Sequence, residues 1–181
     1  ADAFKNGKAF IGFLTAGDPD LDTTKKIIKK VAQAGCDLVE IGIPFADPIA
    51  EGPVIQKANI RALKNNVTTD DVFQMIDEIK NDVDIPMVFM TYLNVLFKYG
   101  YDRFLTRAKE VGICGVIIPD LPYEEKGELQ SVAKNYGIEV VSLIAPTSEE
   151  RIKMIAADAE GFVYAVSSLG VTGVRNEIKT D

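Results

Sequence analysis

The sequence predicts an α/β fold of repeated strand–helix units: a (β/α)₈ TIM barrel truncated after strand six. Residues 1–181 form one barrel domain that lacks the last two βα units. Three observations carry this expectation. Short apolar runs alternate with amphipathic stretches along the chain. Gly112, Gly137 and Gly161 stand before the last three strand-like runs, 25 and 24 residues apart, a period suited to parallel strands joined by returning helices. No glycine-rich dinucleotide loop follows the first run, where Thr15-Ala16-Gly17-Asp18-Pro19 stands instead. Six strands in this order also fit a doubly wound sheet, and periodicity alone leaves that alternative open.

Residues 9–15 (AFIGFLT) read as the first strand, closed by a Gly-Asp-Pro turn. Leu21, Thr24, Ile28, Val31 and Ala32 then recur at helical spacing among lysines, and Gly35 ends the segment as a C-terminal cap would. Residues 37–43 (DLVEIGI) return to strand composition before Pro44. The long interval that follows holds two helices, 53–64 and 69–81, with Thr68 or Thr69 as N-cap of the second. Strands are predicted at 87–92, 116–118, 139–144 and 162–166, and helices at 101–111, 124–135 and 148–157.

Composition narrows the function. The chain of 181 residues has 47% hydrophobic and 26% charged residues, the balance of a folded globular protein. Acids outnumber basic side chains 27 to 20, giving a formal charge of −7 and no support for nucleic-acid binding. No apolar run is long enough to cross a bilayer, and residues 1–16 lack the order of a signal peptide. Cys36 and Cys114 are too isolated for a disulfide framework and are expected to be buried thiols in a reducing cytoplasm. Histidine is absent, which removes His-based triads and His-ligated metals, and no metal site is expected. A Schiff-base mechanism needs a lysine at an interior strand position, and none is predicted there. Carboxylate acid–base chemistry on a mostly apolar substrate remains.

In a barrel the reacting groups gather at the C-terminal ends of the strands. Alternation in Leu38-Val39-Glu40-Ile41-Gly42 puts Leu38, Glu40 and Gly42 on one face and Val39 and Ile41 on the other. If the Val/Ile face meets the helices, Glu40 points inward, where desolvation raises a carboxyl's pKa towards the range useful for giving and taking protons. A structural carboxylate satisfied by backbone or hydroxyl donors is the plainer alternative. The following loop, 44–53 (PFADPIAEGP), carries three prolines, one glycine and the acids Asp47 and Glu51. Glu51 fits a second catalytic acid or a helix-start acid favoured by the dipole, and Asp47 fits a turn. Asp120 reads more readily as a loop brace than as a catalyst. Gly170 to Gly173 allow close approach of a ligand to the backbone, a weak signal alone.

Several segments together resemble the tryptophan synthase alpha subunit family: 10–19 (FIGFLTAGDP), 38–56 (LVEIGIPFADPIAEGPVIQ), 86–94 (PMVFMTYLN), 116–122 (VIIPDLP) and 167–173 (SSLGVTG). The resemblance covers essentially the whole chain, and the second segment is the most specific. It implies a (β/α)₈ barrel and a lyase of tryptophan biosynthesis that cleaves indole-3-glycerol phosphate to indole and glyceraldehyde 3-phosphate. It also implies no organic cofactor in this chain, and an α2β2 assembly in which indole passes to a beta subunit containing pyridoxal phosphate (PLP).

By the same resemblance, Glu40 matches the catalytic glutamate and Glu51 the second acid, where the family usually has aspartate. Phe13, Met90, Ile117, Ile144 and Tyr164 match the apolar indole pocket, with Tyr92 hydrogen-bonding in that site. Thr172 matches a substrate-closing loop and Gly173 a backbone contact to phosphate, the family's other phosphate donors following strands seven and eight. Pro44, Asp47, Asn94 and Pro122 fall where the family meets its beta subunit. The alternatives are another phosphate-sugar barrel enzyme, or a non-catalytic barrel subunit that activates a partner.

Overall fold

The computed structural model of the protein describes residues 2–166. Its strands are β1 (Ile11–Thr15), β2 (Leu38–Gly42), β3 (Met87–Met90), β4 (Ile113–Ile117), β5 (Glu139–Ile144) and β6 (Val163–Ala165). Each pairs in parallel with the next, in the order β1-β2-β3-β4-β5-β6. A doubly wound sheet reverses its strand order at a switch point. Here the order never reverses, so the strands build a half-barrel. None of the described helices is long and apolar enough to cross a membrane.

The helices are α1 (Leu21–Gln33), α2 (Pro53–Lys64), α3 (Thr69–Ile79), α4 (Leu93–Tyr99), α5 (Tyr101–Glu110), α6 (Lys126–Tyr136) and α7 (Glu149–Ala157). Asp20 caps α1 by accepting from the Thr23 amide, and α3 opens on a reciprocal capping box between Thr68 and Asp71. The expected cap residue at position 68 or 69 is thus Thr68. Helix α4 departs from the sequence reading, which carried strand three to Tyr92. The strand stops at Met90, Leu93–Tyr99 coils into a short helix, and Gly100 breaks it with φ +90° before α5.

Two apolar layers separate along the alternation of the strands. Val39, Ile41, Phe89, Val116 and Val140 pack with Ile28, Phe73, Ile76, Phe104, Leu105 and Leu129 on the helix side. Phe73, Phe89 and Phe104 meet there with ring centroids 5.1–5.9 Å apart. Leu38, Val88, Ile117 and Val141 form the inner layer, joined by Ile11, Met90, Leu143, Phe162 and Tyr164. Fully burying each Phe or Ile of the outer layer stabilises by roughly 1.5–3 kcal/mol, so the helix side holds the half-barrel together.

Cys36 is buried as expected, but Cys114 is exposed. The β3–β4 register steps from Met87↔Ile113 to Val88↔Gly115, leaving Cys114 as the extra, unpaired residue of a bulge.

Candidate active site at the strand ends

Glu40 lies at the centre of β2, in register with Phe13 of β1 and Val88 of β3. Its strand neighbours Val39 and Ile41 belong to the helix-side core and Leu38 to the inner layer, so alternation turns Glu40 inward. Only 4% of the residue is exposed. No hydrogen bond or ion pair from the described residues compensates its burial, and desolvation pushes its carboxyl up to about 7. That places the group between acid and base near neutrality.

The surroundings of Glu40 are apolar and aromatic. Gly42, two residues on, has no side chain because the Phe13 ring occupies that space: a Cβ there would lie 2.8 Å from Phe13 Cζ. Phe13 itself remains 37% exposed, as a ring at an open mouth would be. Tyr164 of β6 approaches from the other side. Burial raises its phenol, and the negative charge of Glu40 adds to the effect. Met90 and Ile117 complete the inner wall.

Ile144 does not join this wall. It shares the phase of Val140, in the helix-side core, and of Ser142, which accepts a hydrogen bond from Lys126 of α6. Leu143 takes the inward position, packed with the inner layer. A shift of one residue along a strand exchanges its faces, so the inward side chain at this level of β5 is Leu143 rather than Ile144.

The second acid sits in a separate, polar neighbourhood. Glu51 is 9% exposed, just before Gly52 and Pro53 open α2. The Tyr92 hydroxyl donates to Glu51 Oε2 and accepts the amides of Ile49 and Ala50, at 3.1 and 3.0 Å. Burial, then the bond to Glu51, raises the Tyr92 phenol well above its ordinary range, so it stays protonated. The ring stacks on Phe45 at 5.1 Å and 28°. Gln56 donates to the Glu51 carbonyl at 2.9 Å, fixing the loop's descent into the helix. Sequence reasoning gave Tyr92 a hydrogen bond but not these partners, because they lie 41 to 43 residues away.

Asp120 accepts the Leu93 amide at 2.9 Å and so braces the start of α4, one of the roles the sequence left open beside substrate positioning and partner contact. Asp47 and Pro122 are exposed on loops at this end and Asn94 in the first turn of α4, while Pro44 is buried. Pro44 is therefore corrected from a surface contact to part of the loop's anchorage. Thr172 and Gly173 lie outside the described residues. A cavity of about 660 Å³ opens at the opposite end of the strands, lined by Leu38, Val88, Gly115, Glu139 and Phe162 among others. The N-terminal end of a barrel is where side chains serve stability, and neither Glu40 nor Glu51 lines this cavity.

A parallel half-barrel with a desolvated carboxyl on its inner wall, and a second buried carboxyl on the loop that follows the same strand, defines a protein of the TIM-barrel type. The model of the family "Tryptophan synthase alpha chain" matches residues 1–181. The chain belongs to that family. It is 51% identical over 177 residues to a tryptophan synthase alpha chain of Lacticaseibacillus casei, spanning 98% of this chain and 66% of that relative. Among solved structures it superposes on the Mycobacterium tuberculosis tryptophan synthase with TM-score 0.86 and 34% identity, covering 93% of this chain and 65% of that one. The α2β2 complex of Pyrococcus furiosus, described in terms of mutual activation, matches at TM-score 0.82 and 39% identity, covering 90% and 67%. The chain thus spans about two thirds of the length of these relatives.

Proposed function

We propose that the protein is a lyase that cleaves indole-3-glycerol phosphate to indole and glyceraldehyde 3-phosphate, acting as the alpha component of a tryptophan synthase. The observation that carries this reading is Glu40: a carboxyl buried on the inner wall, without a compensating partner among the described residues, and raised to about 7. A structural acid gains nothing from that position. A group that must first give a proton and then take one does, since its affinity lies near the working pH.

In the proposed reaction the indole ring lies against Phe13, Met90, Ile117, Leu143 and Tyr164. Glu40 gives its proton to indole C3 while Glu51 takes the proton of the ring N–H. Glu40, now ionised, removes the proton from the hydroxyl of the departing carbon. The bond from that carbon to C3 breaks, leaving an aldehyde, and the electron pair restores the aromatic ring as nitrogen regains its proton from Glu51. Protons and electrons balance without an organic cofactor. By resemblance, Thr172 would belong to the loop that closes over the substrate, and Gly173 would give a backbone contact to its phosphate.

This reading takes residues 1–181 as belonging to a single barrel domain. The exposed Asp47, Asn94 and Pro122 are proposed to face a beta subunit carrying PLP, to which indole would pass; the α2β2 complex of Pyrococcus furiosus supports such a partner. The test is product analysis with the full-length protein. Incubation with indole-3-glycerol phosphate should release indole and glyceraldehyde 3-phosphate in equal amounts, faster when a cognate beta subunit is added. A folded full-length protein that releases no indole, alone or with that subunit, overturns the reading.

A further inference from the structure

We infer that Tyr92 is a positioning residue for Glu51, holding one oxygen of that carboxylate so that the other meets the substrate's N–H. The inference rests on the acid–base reading above and adds to it a residue and a geometry.

A phenol hydroxyl has one proton to donate and two lone pairs with which to accept. At Tyr92 both acceptor positions are taken by backbone donors, Ile49 N–H at 3.1 Å and Ala50 N–H at 3.0 Å. The proton is then committed to the remaining partner, Glu51 Oε2. The direction of the bond follows from this count: Oε2 must be an unprotonated acceptor.

The anchor is buried and belongs to a different part of the barrel from the acid it holds. Tyr92 is 3% exposed and stands directly between the end of β3 and the start of α4. Its ring is stacked on Phe45, and the next residue's amide is tied to Asp120 in the turn that follows β4. The oxygen is thus held between the β3–α4 junction, which carries Tyr92, and the loop residues Phe45, Ile49 and Ala50 that pack and bond on it. Glu51, by contrast, reaches it through a flexible side chain whose free rotamers would scatter the carboxylate. Clamping Oε2 selects one of them, and Oε1 is left to accept from the indole N–H. A glutamate needs such a clamp more than the family's usual aspartate, since its extra methylene adds one more rotatable bond. The same hydroxyl fixes the loop at Ile49 and Ala50, so a loop-holding role alone is the competing account.

Kinetics of the full-length protein separate the two. Tyr92→Phe keeps the ring and its stacking but removes the hydroxyl. It should lower kcat about tenfold with KM changed less than about twofold, the pattern of a catalytic group misplaced rather than a substrate lost. The double variant Tyr92→Phe/Glu51→Gln should be no slower than Glu51→Gln alone, because the clamp then holds nothing that reacts. Multiplying losses in the double variant, or a loss confined to KM, overturns the inference in favour of loop holding. A second readout needs no turnover. In protein carrying ¹³C at the tyrosine hydroxyl-bearing carbon, Glu51→Gln should move the Tyr92 resonance and leave those of the other tyrosines in place. An unmoved Tyr92 resonance refutes the clamp. If the unaltered protein releases no indole, the proposed reaction fails, while the resonance still decides whether Tyr92 holds Glu51.

Discussion

Replacing Glu40 by glutamine tests stability and chemistry at one atom pair. The substitution keeps shape and volume but removes the titrating proton. In the folded chain the carboxyl holds that proton up to about pH 7, against an ordinary value of 4.5. Across this window the native state binds more protons than the unfolded one, so Glu40 lowers stability progressively as pH rises, with the full cost present above about 7. At about 1.4 kcal/mol per pH unit the cost is at most about 3.5 kcal/mol. Water at the open mouth screens part of it, which leaves ~1–2 kcal/mol.

The Glu40→Gln protein should therefore be more stable than the unaltered one by ~1–2 kcal/mol at pH 8, and nearly equal to it at pH 4.5. Other acids contribute equally to both proteins and cancel in the difference. Urea unfolding at the two pH values measures it directly, since the midpoint shifts while the slope is preserved. Indole release measured on the same samples should fall by at least about a hundredfold, the contribution expected of an acid–base group. A variant with unchanged turnover, and a stability difference that does not grow with pH, would show that Glu40 is neither desolvated nor engaged in proton transfer.

Substitutions at three further positions probe the rest of the site and its frame. Glu51→Asp should retain indole release in the full-length protein and Glu51→Gln should lose it; a fully active Gln variant removes the loop acid from the mechanism. Gly42→Ala sets a Cβ 2.8 Å from Phe13 Cζ, so the ring must move, stability should fall by ~1–3 kcal/mol and KM should rise; unchanged KM and stability would place Phe13 outside the pocket. Lys126 is buried with its ammonium 2.8 Å from Ser142 Oγ and 3.2 Å from Asp158. Lys126→Met should cost ~1–3 kcal/mol in urea unfolding by stranding the Ser142 hydroxyl, and a loss under ~0.5 kcal/mol would make the contact incidental.

The parts of this molecule that were legible in its sequence are those where one residue type is costly unless its surroundings are special. An acid flanked by Val39 and Ile41 in an apolar strand announces its own face, because alternation leaves it only the inner wall or the helix core, and the helix core is closed to it. Gly42 beside it marks a close approach, which proves to be the Phe13 ring. A threonine at 68 or 69 ahead of a helical run announces a helix start, and that too is read without tertiary knowledge, the structure adding only that Thr68 is the cap.

What escaped was relational. Ile144 and Leu143 are chemically interchangeable in a sequence, and only the phase of β5, fixed by Val140 and Ser142 against α6 and by Val141 inside, separates them. Cys114 is turned out by a one-residue register step with no local signature. Tyr92 reads as one more aromatic at a strand end until the loop 41 to 43 residues before it is folded over its hydroxyl. That contrast bears on where function resides. The inward acid is set by a rule that any βα strand obeys, so its position tolerates changes elsewhere in the chain. The second acid depends on three donors and acceptors meeting at one oxygen, so its geometry is the element that changes in loop 44–53 or at the β3–α4 junction would alter first.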